Sequence, residues 1–176
     1  GIDNELIVST NDNVIELSNG CICCSINDEL LKTVNQLLSK DNSIDYLVVE
    51  TTGLADPLPV AMTFVSTELR DKTRLDSIIT LVDADNYKNE ILESEIGRNQ
   101  ILYGDIILLN KCDLVSESSL FKIEERIQSI KNHSRILRTT KGKVDLSLIM
   151  SVGLFETDSF PNEHEHEHEH EHEHEH

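Results

Sequence analysis

The sequence predicts an α/β fold in which a mainly parallel sheet is flanked by helices. Three observations lead there. The apolar runs at 46–49 (YLVV), 78–82 (IITLV) and 106–109 (IILL) are continuous rather than alternating, as in strands buried on both faces. Segments of helical periodicity separate them. Each run ends at a polar residue, Glu50, Asp83 or Asn110. The carboxyl ends of parallel strands are where such sheets bind ligands, so these three positions are where chemistry is expected.

Taken in order, the chain opens with two β-like runs, 6–9 and 14–17, around the polar turn TNDN. After NGCICC, Ser25 can cap a helix whose apolar positions Ile26, Leu30, Leu31, Val34, Leu37 and Leu38 repeat at helical period. The turn SKDNS stops it and the run 46–49 follows. Asp56-Pro57 reads as a cap with proline in the first helical position, followed by the apolar face Val60, Ala61, Phe64 and Val65. The strand 78–82 leads to a polar helix expected over roughly 86–102. After the strand 106–109, Ser116 or Ser118 starts a helix with Leu120, Ile123, Ile127 and Ile130 on one face. A weak strand at 135–138 and a short helix at 144–150 complete the body.

Charge narrows the function. The 176 residues carry a net charge of −18. Seven of the 33 acidic residues alternate with seven histidines in the last fourteen positions; the 26 left against 15 basic residues still make the body acidic, at −11. A nucleic-acid partner or an anionic membrane needs basic patches, so neither is expected. No apolar run approaches the ~20 residues of a membrane span, and the start GIDNELIVST lacks the regions of a signal peptide. A cytoplasmic protein is the resulting expectation.

Three of the four cysteines, Cys21, Cys23 and Cys24, lie within four residues, with Cys112 apart. Such neighbours pair poorly as structural disulfides and in a reducing compartment read as metal-binding or redox-active. Thiolates suit Zn²⁺ or Cu(I), and three of them leave one tetrahedral position open for ligand exchange. Cys24 lies just before the expected helix cap, where the helix dipole favours thiolate.

Asn110-Lys111-Cys112-Asp113 resembles the NKxD element of GTPases. A carboxylate at Asp113 can accept two hydrogen bonds from guanine N1 and N2, which adenine cannot supply. Asn110 can bond the base edge and tie loops together, and the Lys111 stem can lie over the ring. In Glu50-Thr51-Thr52-Gly53 an acidic strand end can hold Mg²⁺, and glycine lets a backbone N–H approach a γ-phosphate.

Together GCICC, ETTGLADP and NKCDL, in this order on these strand ends, resemble the CobW-like P-loop GTPases, GTP-dependent metallochaperones related to HypB and UreG. The resemblance runs from Gly1 to about Glu156. It implies a P-loop NTPase-type sheet, with a partial GTPase domain over 1–156 and a Glu/His-rich flexible tail over 157–176. It implies that Cys21, Cys23 and Cys24 bind zinc, or alternatively cobalt. Glu50 and Gly53 become the catalytic element for Mg²⁺ and γ-phosphate sensing, and Asn110, Lys111 and Asp113 the guanine-specificity residues. Asp83 matches a family strand-end aspartate of underived role. Thr139-Thr140-Lys141 falls where the last base-contacting loop belongs, as a loose match. Cys112 reads as structural and His133 as an exposed bystander.

The family's GxxGxGKT phosphate loop has no counterpart in these 176 residues. The first strand and that loop are therefore expected to be missing, and this chain alone to bind GTP poorly and hydrolyse it negligibly. The expected function is a GTP-hydrolysing metallochaperone that passes zinc to a client protein. Alternatives are a non-enzymatic zinc buffer, a cobalt chaperone associated with cobalamin synthesis, and a thiol redox protein using Cys23 and Cys24. The tail histidines His164, His166, His168, His170, His172, His174 and His176 are expected to be disordered without metal and to bind it weakly at several sites. Their composition fits both the His-rich stretches of this family and a purification tag.

Overall fold

A computed structural model describes residues 28–40, 44–51, 53–87 and 89–157. The two β-like runs at the start, the Ser25 cap, the Cys21–Cys24 cluster and the His tail lie outside these residues.

Three strands make a parallel sheet in the order β1 (Ile79–Asp83), β2 (Ile106–Asn110), β3 (Ile136–Arg138). The register pairs Asp83 with Asn110, so two of the expected strand ends lie side by side. Between β1 and β2 run α3 (Asn89–Glu93) and α4 (Glu95–Tyr103), and between β2 and β3 runs α5 (Glu117–Ile130). Successive parallel strands joined by helices require crossovers, and crossovers of one hand in one direction stack their helices on one face. Ala84, Leu92, Ile101, Ile107, Leu109, Leu120, Ile123 and Ile127 form the core there. A second core joins α1 (Asp28–Lys40) to α2 (Pro57–Val65) through Leu30, Val34, Phe64 and Leu69.

Local chemistry sets most boundaries. Asp56 caps α2 by accepting from the Leu58 N–H at 2.9 Å, with Pro57 in the first turn. Ser116, rather than Ser118, caps α5. Arg138 on β3 grips Glu124 of α5 in bidentate fashion, its Nε at 2.7 Å and Nη2 at 2.9 Å from the two carboxylate oxygens.

Four expectations are corrected. The polar helix over 86–102 is two helices starting at Asn89, because Ser94 turns extended and caps α4 through the Gly97 N–H. Asn86 is held instead in a turn by Asp83. The helix over 144–150 is only a 3₁₀ turn, Leu146–Leu148, capped by Asp145. The run 46–49 is not a strand and is not buried; Val48 is 77% exposed. β1 begins one residue later than expected and is buried on one face only, leaving Leu81 65% exposed. Burial on both faces needs layers on both sides and strands on both edges. β2 has strands on both edges and is buried throughout its apolar run. Among the described residues β1 pairs only with β2, and 46–49 pairs with nothing.

The junction of α4 and β2 is tightly closed. Gly104 carries no side chain where a Cβ would meet Thr80 Oγ1 at 2.6 Å and the Gln100 carbonyl at 2.9 Å, two groups already hydrogen-bonded to each other. Gly104→Ala should therefore destabilise the protein by about 1–3 kcal/mol. At roughly 2–4 °C per kcal/mol, thermal unfolding should move down visibly. An unchanged midpoint would show that the junction relaxes freely.

Candidate functional site

The carboxyl edge of the sheet gathers β1 and β2 ends, the loop 110–114 and the loop 139–142. Asn110 ends β2 and its side-chain oxygen accepts from Thr139 Oγ1 and from the Gly142 N–H, both at 3.0 Å. The Cys112 N–H donates to the Thr139 carbonyl at 3.2 Å. Thr139 is buried, and Lys141 and Gly142 follow with left-handed backbones. Asn110 thus does the loop-tying work expected of it, and the 139–142 loop, only loosely matched in sequence, is bonded to it.

Lys111 also adopts a left-handed backbone, with φ 62° and ψ 33°. Its ammonium reaches the Asp83 carboxylate on the neighbouring strand at 2.7 Å. The hydrogen bond from Lys111 is the largest cause that brings the Asp83 carboxyl from 3.8 down to about 2; partial burial opposes it and Asn86 reinforces it. The same bond raises Lys111. Both are therefore charged at neutral pH. Asp113 lies in the 3₁₀ turn Cys112–Leu114. It is exposed, and no described residue hydrogen-bonds its carboxylate, which is the state needed to accept from a ligand's N–H groups. Cys112 turns inward: its Sγ donates to the Leu109 carbonyl at 3.0 Å and packs against the main core, as a structural residue does. His133 is exposed.

Glu50 and Gly53 lie elsewhere. Glu50 lies in the segment 44–51, which forms neither helix nor strand, and is exposed. Gly53 has φ +62° and open space around it, a backbone that disfavours any side chain. Among the described residues no hydrogen bond ties either to the loop 110–114. Their neighbourhood is instead anchored to α4: Asn99 Nδ2 donates to Asp56 Oδ2 and Gln100 Nε2 to the Ala55 carbonyl, both at 2.9 Å. An exposed carboxylate at Glu50, with no hydrogen bond from a described residue, is a fit donor for a hard cation such as Mg²⁺. Among the described residues no three His, Cys, Asp or Glu side chains come together as metal ligands. No described helix is long and apolar enough to cross a membrane.

Two participants take their role only from the fold. Asp83 is marked in the sequence as a strand end without a role, and Gly142 is not marked as part of the site. The strand-end position signalled the first; only the fold brings the second to Asn110.

This geometry of strand order and loops has known counterparts. Residues 1–138 match the family described as CobW/HypB/UreG, nucleotide-binding domain. The chain belongs to the CobW/HypB/UreG family. Among CobW-family relatives, the zinc-regulated GTPase metalloprotein activator 1 of Dictyostelium discoideum is 37% identical over 168 residues, covering 81% of this chain and 35% of its own. The zinc chaperone YjiA of Escherichia coli is 37% identical over 164 residues, covering 90% of this chain and 49% of its own. The crystal structure of Zn(II)-bound YjiA GTPase from E. coli superposes with a TM-score of 0.61 at 35% identity, over 73% of this chain and 40% of that one. The chain therefore spans from about a third to a half of these two curated CobW-family relatives. The α/β class and parallel sheet expected from the sequence are those of this family.

Proposed function

We propose that the protein is a GTP-binding and GTP-hydrolysing metallochaperone that carries zinc to a client protein. The observation that carries the reading is the loop 110–113. Asn110 locks it to 139–142, Lys111 is anchored on the next strand, and Asp113 is exposed with no described residue hydrogen-bonded to its carboxylate. A carboxylate so presented accepts from the N1 and N2 groups of guanine, a pair of donors that adenine lacks on that edge. The GTPase and zinc-chaperone names of the relatives support the same reading.

In this proposal Asn110, Lys111 and Asp113 hold the base, and Glu50 and Gly53 serve the phosphate end. Mg²⁺ bound at Glu50 would offset phosphate charge. Cys21, Cys23 and Cys24 hold zinc as cargo, in a reducing compartment such as the cytoplasm that keeps them as thiols. Nucleotide binding orders the segment around Glu50 and Gly53, and its loss releases that segment, so that zinc affinity follows nucleotide state. Zinc then passes to the client by thiolate exchange.

The test is zinc affinity of the full-length protein with GTP, with GDP and with no nucleotide, read by competition against a chromogenic chelator. A difference of about 5-fold or more between states is expected for coupled sites. Equal affinity in all three states would reduce the protein to a zinc buffer.

A further inference from the structure

Asp83 does more than end a strand. Its Oδ1 accepts from the backbone N–H groups of Asp85 at 3.0 Å and Asn86 at 3.2 Å. Its Oδ2 accepts from Asn86 Nδ2 at 3.1 Å and from Lys111 Nζ at 2.7 Å. One oxygen is thus locked into the turn that follows β1, which fixes where the other points. Lys111 answers from just past the end of β2, one strand spacing away, about 4.8 Å. Its left-handed backbone, uncommon outside glycine, is part of how the side chain turns back along the sheet edge. Four methylenes therefore span the gap between the two strand ends, where an unanchored lysine would sample many rotamers in solvent.

We propose that Asp83 is a positioning residue for nucleotide binding: it pins Lys111 across the carboxyl edge of the sheet, so that the lysine stem is a preformed platform for the face of the base. Asp83 itself touches no base edge. It contributes by ordering the stem before the ligand arrives, which removes that ordering from the cost of binding. This rests on the guanine reading above. Because a platform meets the ring face and not its edge, it serves any purine, and specificity stays with Asp113.

Asp83→Asn separates the two duties of the residue. The amide oxygen can still accept from the Asp85 and Asn86 N–H groups, while the charge that holds Lys111 is gone. Binding of fluorescent GDP to the full-length protein should weaken about 5-fold in Asp83→Asn, and about 10-fold in Lys111→Ala, with little change in thermal unfolding. The double variant should bind no more weakly than Lys111→Ala, because Asp83 acts only through that lysine. In an Asp113→Asn background, Asp83→Asn should weaken xanthosine diphosphate by the same factor as it weakens GDP in the wild type.

Wild-type GDP affinity in Asp83→Asn, or losses that add in the double variant, would overturn the proposal while leaving the guanine reading intact. An Asp113→Asn protein that keeps its guanine preference would remove the guanine reading, and the Asp83 proposal with it.

Discussion

Asp113→Asn should convert a guanine site into a xanthine site. Guanine presents an N1–H and an N2 amino group to the carboxylate, two donors to two acceptors. The asparagine amide turns one acceptor into a donor, which faces the N2 amino group without a bond. Xanthine replaces that amino group by a carbonyl and restores the match. Hydrogen bonds to a charged partner contribute about 1.5–3 kcal/mol each. Losing one and opposing the other should weaken GDP at least ~100-fold, with xanthosine diphosphate gaining by a similar factor. The fold should hardly notice, because Asp113 is exposed and no described residue hydrogen-bonds it. Surface changes of that kind stay within about 0.5 kcal/mol. Equilibrium binding of the two fluorescent diphosphates to the full-length protein decides the matter, and an unaltered preference for GDP would mean that Asp113 does not face the base.

The second large effect concerns the metal. Serine at Cys21, Cys23 and Cys24 together should abolish the thiolate-to-Co²⁺ absorption band and lower zinc affinity by at least ~1000-fold. A thiol ionises near pH ~8.5 and is readily lowered further, so metal displaces its proton at neutral pH. A serine hydroxyl does not ionise there and is a hard, weak ligand for a borderline-soft ion. The tail imidazoles can bind metal without producing this band, so the spectrum isolates the cysteine cluster. Cys112 is an internal control, since its Sγ is engaged with the Leu109 carbonyl inside the fold. A band that survives the triple substitution would move the metal site elsewhere.

The apolar runs show where sequence reasoning reaches and where it stops. All three read alike, as strands buried on both faces. Only β2 is so, with β1 and β3 on its edges and Ile107 and Leu109 packed into the core with α5. The run 46–49 has the same composition without a described strand beside it, and β1 has one covered face and one open. Composition reports what a segment is suited to; neighbours decide whether its surface is buried. Helix ends show the reverse. Asp56-Pro57 could be read directly, because a cap is a contact between residues two apart. The Ser94 cap is not legible in the same way although its contact spans only three residues, since the polar stretch around it disguises a second helix start.

The sequence by itself determined the α/β class, the strand ends Asp83 and Asn110 and the family to which the chain belongs. These follow from periodicity, capping and short motifs, all of which act over a few residues. The tertiary structure decided which strand ends meet. Parallel register sets Asp83 beside Asn110, which lets Lys111 reach a carboxylate 28 positions earlier. The crossover through α5 returns the chain so that Thr139 and Gly142 close on Asn110. Bonds of that span depend on strand order and crossover hand, which no local pattern encodes.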